Sequence, residues 1–414
     1  MLLTSLATLL AFQGSSAAVR LPCTGLPRAI GSCREIARVS LSDSVLSDPT
    51  FVQGKRRDCV LAWKAAKLST PSQETLRERV VIGWCRRHGG NWTQIANLLL
   101  PSAMQELRGA LIDSTLVVFW GIRDRSDAPL EATSIAYASL EGDTWSPTQT
   151  LFRASAPGTF LWWRASAVSD IVSASESRLV FVVPVTGGIH TSGVLVVTGD
   201  QAGTWNTHVL PVSGIAYASV AASKGTLAVG LIGAAPGPVP DQNSVSVLVS
   251  SERGRKWSLP QLLHRAGSSA PAYEIDLFHD QSGAFGVLWR EEAAAKGSWR
   301  LRYALMASDG RWSSPRKLLL GDKTISSGTV SVAMNSRALL GILHTQYKYP
   351  LEYSHLAVFT RLTSPRVRSL KWSIQRARSQ LVRTSSGGLA IISAVRKPHD
   401  RRTEETTLYL MTLD

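Results

Sequence analysis

A tight turn between two β-strands is encoded by Ser250-Ser251-Glu252-Arg253-Gly254-Arg255-Lys256-Trp257. In such a turn the serine hydroxyl and the carboxylate accept hydrogen bonds from nearby backbone N–H groups. Gly254 tolerates the positive φ that a side chain disfavours. Trp257 adds a large apolar surface that packs against a neighbouring sheet. We therefore expect a strand, this turn and a second strand, with the tryptophan anchoring the turn to the core.

Weaker copies of this turn recur along the chain, each built around a tryptophan. Successive members of the series are 52 to 60 residues apart, and the series is Trp92, Trp145, Trp205, Trp257, Trp312 and Trp372. A period of about 50 residues with several short strands in each unit is typical of a β-propeller.

Apolar segments between the turns form seven strand pairs, from 59–65 with 79–84 to 389–394 with 407–413. A third strand is expected after each tryptophan, the last one over 372–381. The seventh unit ends without an outer strand, and the alternating segment 35–41 can supply it. We predict an all-β fold: a single propeller of about seven blades, closed by this N-terminal strand. A six-bladed ring with an irregular N-terminal segment is the alternative.

The first residues predict export. Residues 1–18 contain an apolar run that ends in Ser15-Ser16-Ala17-Ala18, which is typical of a signal peptide and too short to span a bilayer. Residues 19–50 form an N-terminal segment with the closing strand, and residues 51–414 form the propeller. No later segment has the length and apolarity of a transmembrane helix. We expect a secreted, periplasmic or otherwise extracellular protein.

All four cysteines lie in the first fifth of the chain, at Cys23, Cys33, Cys59 and Cys85. An even number in an exported protein indicates two disulfides. The local pairing Cys23–Cys33 with Cys59–Cys85 is the simplest of the three connectivities.

The chain is strongly basic, with 45 Lys and Arg residues against 30 Asp and Glu residues and a net charge of +15. Such a surface favours anionic partners, among which an acidic glycan suits an exported protein better than nucleic acid. Neither a metal-ligand spacing among the eight histidines nor a phosphate-binding glycine loop is present. We expect no metal and no cofactor.

The full turn of 250–257 resembles the Asp-box, or BNR repeat, of sialidase-like β-propellers. Glu252 occupies the acidic position, and the other copies lack one or more positions. This resemblance extends over most of residues 51–414 and implies the propeller fold. Two departures concern function: sialidases have six blades, and their Arg-Ile-Pro motif is absent from this N-terminal region.

Loops between the first and second strands of the pairs gather at one mouth of a propeller, where binding sites are expected. Arg123, Arg290 and Arg396 each follow or end an apolar strand at this mouth. Converging guanidinium groups suit a carboxylate or a sulfate because each donates paired hydrogen bonds. The sequence thus predicts an anion site.

Sialidase-like enzymes use a tyrosine nucleophile assisted by a glutamate, with an aspartate as acid and base. The resemblance implies Tyr347, Glu291 and Asp124 for these roles. Trp162, followed by Trp163 and Arg164, is a candidate for stacking on a sugar ring.

The leading hypothesis is an exported propeller that recognises an acidic glycan, either as a lectin-like module or as a sialidase-type exo-glycosidase. The alternative is a non-catalytic scaffold that presents its loops to a protein partner.

Overall fold

A computed structural model of the chain describes residues 30–42, 44–46, 49–55, 57–66, 79–87, 90–100, 104–122, 132–154, 159–160, 165–171, 177–186, 193–210, 212, 215, 217–233, 244–265, 272–280, 282–292, 299–318, 330–334, 340–348, 351–359, 367–370, 377–398 and 403–413. The strands form seven antiparallel sheets. The all-β propeller class predicted from the turns is confirmed.

The sheets are numbered here in chain order, and their strands have the following bounds. Sheet 1 contains β2 (Ser44–Leu46), β3 (Thr50–Gln53), β4 (Arg57–Ala66), β5 (Arg79–Arg87), β6 (Thr93–Gln94) and β7 (Leu98–Leu100). Sheet 2 contains β8 (Met104–Ile112), β9 (Thr115–Ile122), β10 (Ser134–Glu141), β11 (Thr144–Trp145) and β12 (Gln149–Arg153). Sheet 3 contains β13 (Thr159–Phe160), β14 (Ser166–Ile171), β15 (Ser177–Thr186), β16 (Gly193–Gln201) and β17 (Thr204–Leu210).

Sheet 4 contains β18 (Tyr217–Ser223), β19 (Thr226–Gly233), β20 (Ser244–Ser250) and β21 (Gln261–Arg265). Sheet 5 contains β22 (Ala272–His279), β23 (Phe285–Glu292), β24 (Trp299–Leu305) and β25 (Arg316–Leu318). Sheet 6 contains β26 (Val330–Met334), β27 (Leu340–Lys348), β28 (Leu351–Phe359) and β29 (Val367–Leu370). Sheet 7 contains β30 (Ala377–Arg383), β31 (Leu389–Pro398), β32 (Thr403–Leu413) and the N-terminal strand β1 (Ile30–Ser42).

Each sheet has an innermost strand that the sequence did not reveal. These strands are β3, β8, β14, β18, β22, β26 and β30; from β3 to β30 each contacts the next, and together they surround a central channel. The sequence predicted three strands per unit and missed the fourth, which in β18 consists of small residues with only weak alternation. β18, for example, reads Tyr-Ala-Ser-Val-Ala-Ala-Ser.

The strand predicted over 372–381 is wrong. β29 at Val367–Leu370 pairs with β28 and is the outer strand of sheet 6, whereas residues 377–383 form β30, the innermost strand of sheet 7. Trp372 itself lies outside the described residues. The segment Leu370-Lys371-Trp372-Ser373 and its spacing had suggested a further copy of the turn, but the outer strand precedes the tryptophan in this unit.

The N-terminal strand β1 pairs antiparallel with β32, from Ile30 opposite Leu413 to Ser42 opposite Thr403. Sheets 1 and 7 also share an apolar cluster that includes Val60, Ala62, Ile392 and Leu408. The two ends of the chain are therefore held together by backbone pairing and by buried apolar surface.

The turn at 250–257 forms with the predicted roles of Ser250 and Gly254, but without the predicted role of Glu252. The backbone N–H of Gly254 donates to Ser250 Oγ at 3.0 Å, and Gly254 has a φ of 81°. The indole N–H of Trp257 donates to the carbonyl of Gly254 at 3.0 Å, while the ring packs against the apolar cluster of sheets 3 and 4. The Glu252 carboxylate pairs with Lys256 at 3.1 Å instead of accepting from the turn's backbone.

A serine directly after the tryptophan has the same role in three of these turns. Ser146, Ser258 and Ser313 each accept a hydrogen bond from the backbone N–H of the preceding strand, at 3.0 to 3.1 Å. This contact satisfies a donor where the turn interrupts the strand ladder.

Cys59 and Cys85 lie opposite each other on β4 and β5 and form a disulfide, so this predicted pair is confirmed. Cys33 is also disulfide-bonded. Its predicted partner Cys23 lies outside the described residues, as does the predicted signal peptide. Within the described part of the chain, no helix has the length and apolarity needed to span a membrane.

Candidate functional site

The two mouths of the central channel differ in their connections. At one mouth, short turns such as 113–114, 224–225 and 384–388 join each innermost strand to the next strand; we call it the turn mouth. At the other mouth the innermost strands begin and the second strand of each sheet connects to the third, by longer segments in sheets 1 to 5 and by short ones in sheets 6 and 7; we call it the loop mouth. Sheet 5 contributes the described polar cluster at the loop mouth, where β22 begins and β23 ends.

A β-bulge shapes the start of β22. The register with β23 shifts between Tyr273 and Ile275, and the intervening Glu274 has a φ of 43°. Positive φ is uncommon outside glycine, and bulges near sites redirect side chains. The bulge lets the Glu274 carboxylate reach Arg290 on β23.

Arg290 is the centre of an aromatic and charged cluster. Its guanidinium donates to Glu274 Oε1 at 3.1 Å, and its terminal carbon lies 4.2 Å from the centre of the Trp299 ring. Tyr273 meets the same indole edge to face, with the ring centres 5.2 Å apart. Arg290 is 9% exposed, while the Glu274 side chain remains 33% exposed. Cation–π contact and the ion pair together fix the guanidinium.

Asp276 lies two residues beyond the bulge on the same innermost strand. Its carboxyl group makes no hydrogen bond or ion pair with any other described residue. Burial raises the pKa of Asp276 to about 7, and the charge of Glu274 raises it further. At neutral pH this carboxyl is therefore only partly ionised.

Glu291 is buried and saturated with donors. Arg302 Nε donates to Oε2 at 2.5 Å, and the Trp289 indole donates to Oε1 at 3.0 Å. His264 Nε2, from the outer strand of sheet 4, lies 2.8 Å from Oε1. Burial lowers the pKa of His264, and although Glu291 opposes this change, the ring is neutral at pH 7. The network ties sheet 5 to sheet 4.

Arg290 and Glu291 point to opposite faces of sheet 5 because adjacent side chains alternate along a strand. Trp289 and Glu291 face sheet 4, where Trp289 belongs to the apolar cluster shared by the two sheets. Arg290 shares the other face with Leu288, which packs toward sheet 6. The two side chains predicted to serve one site thus have separate sets of contacts.

Two other predicted residues have comparable strand positions. Tyr347 is opposite Glu352 near the end of β27, and Arg396 is opposite Thr406 near the end of β31. With Arg290 on β23, they occupy the last three residues of the second strands of sheets 5, 6 and 7. The structure describes only the backbone of Tyr347 and Arg396.

Arg123, Asp124 and Trp162 lie outside the described residues. The anion-binding role of Arg123, Arg290 and Arg396, the sugar contact of Trp162 and the catalytic roles of Tyr347, Glu291 and Asp124 stay predictions.

Several residues of the cluster were missed by the sequence analysis, namely Tyr273, Glu274, Asp276 and Trp299. Their common feature is proximity to the missed innermost strand or to its bulge. The alternation Tyr273-Glu274-Ile275-Asp276 was the available signal, but the bulge hid which face each side chain occupies. Among the described side chains, no group of three or more His, Cys, Asp or Glu residues is placed to hold a metal ion.

Solved structures of other proteins are similar to this chain in fold. Two structures of an ulvan lyase, described as a new family of polysaccharide lyase, have a TM-score of 0.54 and 12% identity. The similarity covers 89% of this chain and 95% of that chain, and one of them is bound to -[GlcA(1-4)Rha3S]-. Trypanosoma rangeli sialidase, in complex with sialic acid, has a TM-score of 0.45 and 16% identity over 76% of this chain and 54% of that chain.

Identities this low show the fold alone, and the similarity to the sialidase is too weak to support an argument. A scan against protein-family models found no match, and a search of curated proteins found none either.

Proposed function

We propose that this protein is an exported, carbohydrate-directed β-propeller that recognises an acidic glycan at the loop mouth. The observation that carries the proposal is the Arg290 guanidinium held on Trp299 beside the start of an innermost strand. A fixed guanidinium can bind a carboxylate or a sulfate, and the aromatic rings beside it offer an apolar surface to a sugar ring.

Glu274 acts as an internal substitute for the ligand in this proposal. Its partly exposed carboxylate neutralises Arg290 while the site is empty. A glycan carboxylate or sulfate replaces it, and the bulge allows the displaced side chain to turn toward solvent. Asp276 does not oppose an anion strongly because its own carboxyl is largely protonated below pH 7.

Arg396, Arg123 and Trp162 extend the proposed site. Arg396 is supported by its strand position, which matches that of Arg290 at the loop mouth. Arg123 and Trp162 lie outside the described residues, and their part in the site is proposed from the sequence alone. An ulvan lyase of the same fold has been solved bound to -[GlcA(1-4)Rha3S]-, so the fold is compatible with such a ligand.

Hydrolysis is the finer form of the proposal. Tyr347 is the proposed nucleophile of a sialidase-type exo-glycosidase, with Asp124 as acid and base and Glu291 as the assisting carboxylate. Glu291 already accepts from Arg302 and Trp289, so its part would be to orient these groups. Turnover of a fluorogenic sialoside by the wild type and not by Tyr347→Phe supports this form, and turnover by neither removes it.

We also infer that each sheet is one blade and that β1 closes a ring of seven. The pairing of β1 with β32 and the contacts between successive innermost strands support this inference. The turns at 142–146, 250–257 and 308–313 are proposed to be divergent Asp-boxes, and the disulfide at Cys59 and Cys85 supports export.

A panel of matched oligosaccharides tests the proposed recognition. Each acidic glycan, carrying glucuronate, sialate or sulfate, is paired with its neutral counterpart and titrated at low and high salt. We expect binding of at least one acidic member, loss of that binding in its neutral counterpart, and weakening by salt. Absence of binding to every acidic member, together with recovery of one stoichiometric protein partner, would favour the scaffold alternative instead.

A further inference from the structure

The central channel contains a cavity of about 230 Å³ that the proposed glycan site does not use. All seven innermost strands contribute to its wall. Most of the residues that line it are apolar, with Phe51, Leu277 and Val332 among them, while polar atoms form somewhat more than half of the exposed wall. A concave site that combines apolar side chains with a few polar groups is typical of a site for a small ligand.

The polar groups lie toward the turn mouth, where the innermost strands end. Gln53, His279 and Arg383 are the last residues of β3, β22 and β30, whereas Gln380 lies midway along β30. Arg383 is partly buried and makes no hydrogen bond or ion pair with any residue that the structure describes. Its Nε is enclosed without an acceptor. Leaving a charged donor unsatisfied in a protein interior is costly, so this guanidinium is suited to an anionic acceptor.

The local charge also favours an anion. Lys224 and Arg383 are positive, while burial lowers the pKa of His279 and leaves its ring neutral at pH 7. Asp280 is the opposing acidic residue, but its Oδ1 already accepts from Ser282 Oγ at 2.6 Å and from the backbone N–H of Ala284 at 2.9 Å. Among the charged groups that act on His279, two are positive and one, Asp280, is negative.

We propose that the channel binds a small carboxylate with an apolar body. Its carboxylate accepts hydrogen bonds from Arg383, and its body lies along the aliphatic and aromatic wall near Phe51 and Val332. The cavity volume limits the body to about ten non-hydrogen atoms, for which millimolar or tighter affinity is expected. This site is separate from the loop mouth and does not depend on glycan recognition.

The test uses 4-fluorobenzoate as the probe, followed by fluorine NMR, with neutral 4-fluorobenzamide as its matched counterpart. We expect the acid to bind and the amide to bind at least about tenfold more weakly. Arg383→Met should weaken binding of the acid by a similar factor, and Arg383→Lys should retain part of the affinity. Arg265→Met, at an exposed position of an outer strand, should leave the affinity for the acid unchanged.

Circular dichroism confirms that each variant is folded. If Arg383→Met does not fold, the comparison of acid with amide and the Arg383→Lys variant decide the matter. Equal binding of acid and amide, or full affinity in folded Arg383→Met, overturns the proposal. Loss of 4-fluorobenzoate binding in Arg290→Gln would also overturn the proposal, because the carboxylate of the probe would then bind at the loop mouth.

Discussion

Replacing Asp276 by asparagine is expected to stabilise the protein at alkaline pH and to leave its stability nearly unchanged at acidic pH. The carboxyl is partly buried at the channel and has no partner among the described residues, so its charged form is disfavoured in the folded state. Its pKa is raised from 3.8 to about 7, first by burial and second by Glu274. Asparagine has a similar shape and never acquires the charge.

Proton linkage gives the direction in which the stability changes with pH. The folded state retains the proton of Asp276 up to about pH 7, whereas the unfolded chain releases it near 3.8. Stability from this group is fully present below pH 3.8 and is lost as the pH rises through 7. The difference between the folded and unfolded pKa values corresponds to about 4 kcal/mol of folding free energy, at about 1.4 kcal/mol per pKa unit. Because the side chain retains some access to channel water, we expect about 2 kcal/mol.

Urea unfolding followed by tryptophan fluorescence measures this effect at pH 4.5, 6 and 8.5. The variant should exceed the wild type by about 2 kcal/mol at pH 8.5 and the difference should shrink toward zero at pH 4.5. Asp200→Asn is the matched control, since Asp200 is exposed at the end of β16, and it should show no such pH trend. A variant that is equally or less stable than the wild type at pH 8.5 would refute this account of Asp276.

Other predictions concern the core of the ring. Glu291→Ala should lower the free energy of unfolding in urea by about 3 kcal/mol because Arg302 loses its buried acceptor, and Glu291→Gln should lower it by less. An unchanged unfolding midpoint for both variants would show that Glu291 does not stabilise the fold. The lowered pKa of His264 means that its contribution is present above pH 6.5 and lost as the pH falls, so the wild type should weaken between pH 7 and 5.5 more than His264→Gln does. Replacing Cys59 and Cys85 together by serine should cost about 3 kcal/mol for a cross-link spanning 26 residues, and an equally stable double variant would contradict this.

The sequence was informative where local patterns determine structure. Alternating apolar residues and the glycine turns predicted the second and third strands, and opposed positions on β4 and β5 explain why Cys59 and Cys85 pair. Of the innermost strands, β18 gave little signal because its Ala and Ser residues fit close to the channel without a strong alternating pattern, whereas β22 alternates but was not recognised as a separate strand. Their packing depends on neighbouring sheets and not on local propensity.

The candidate site was only partly predictable for the same reason. Proximity in sequence suggested that Arg290 and Glu291 act together, yet strand alternation sends them to opposite faces with different neighbours. The bulge at Glu274 is set by the register between β22 and β23, which no local motif specifies. Trp299 becomes a partner of Arg290 only when β24 pairs with β23.

Calorimetric titration of one bound acidic glycan against a pair of arginine variants tests the central claim most directly. Arg290→Gln removes the guanidinium that contacts Trp299, whereas Arg300→Gln removes the same charge from an exposed position on the same sheet. The account predicts that Arg290→Gln, although less stable, remains folded at the titration temperature and weakens binding by at least about tenfold, while Arg300→Gln binds like the wild type. Equal affinity of the two variants would contradict glycan recognition at Arg290.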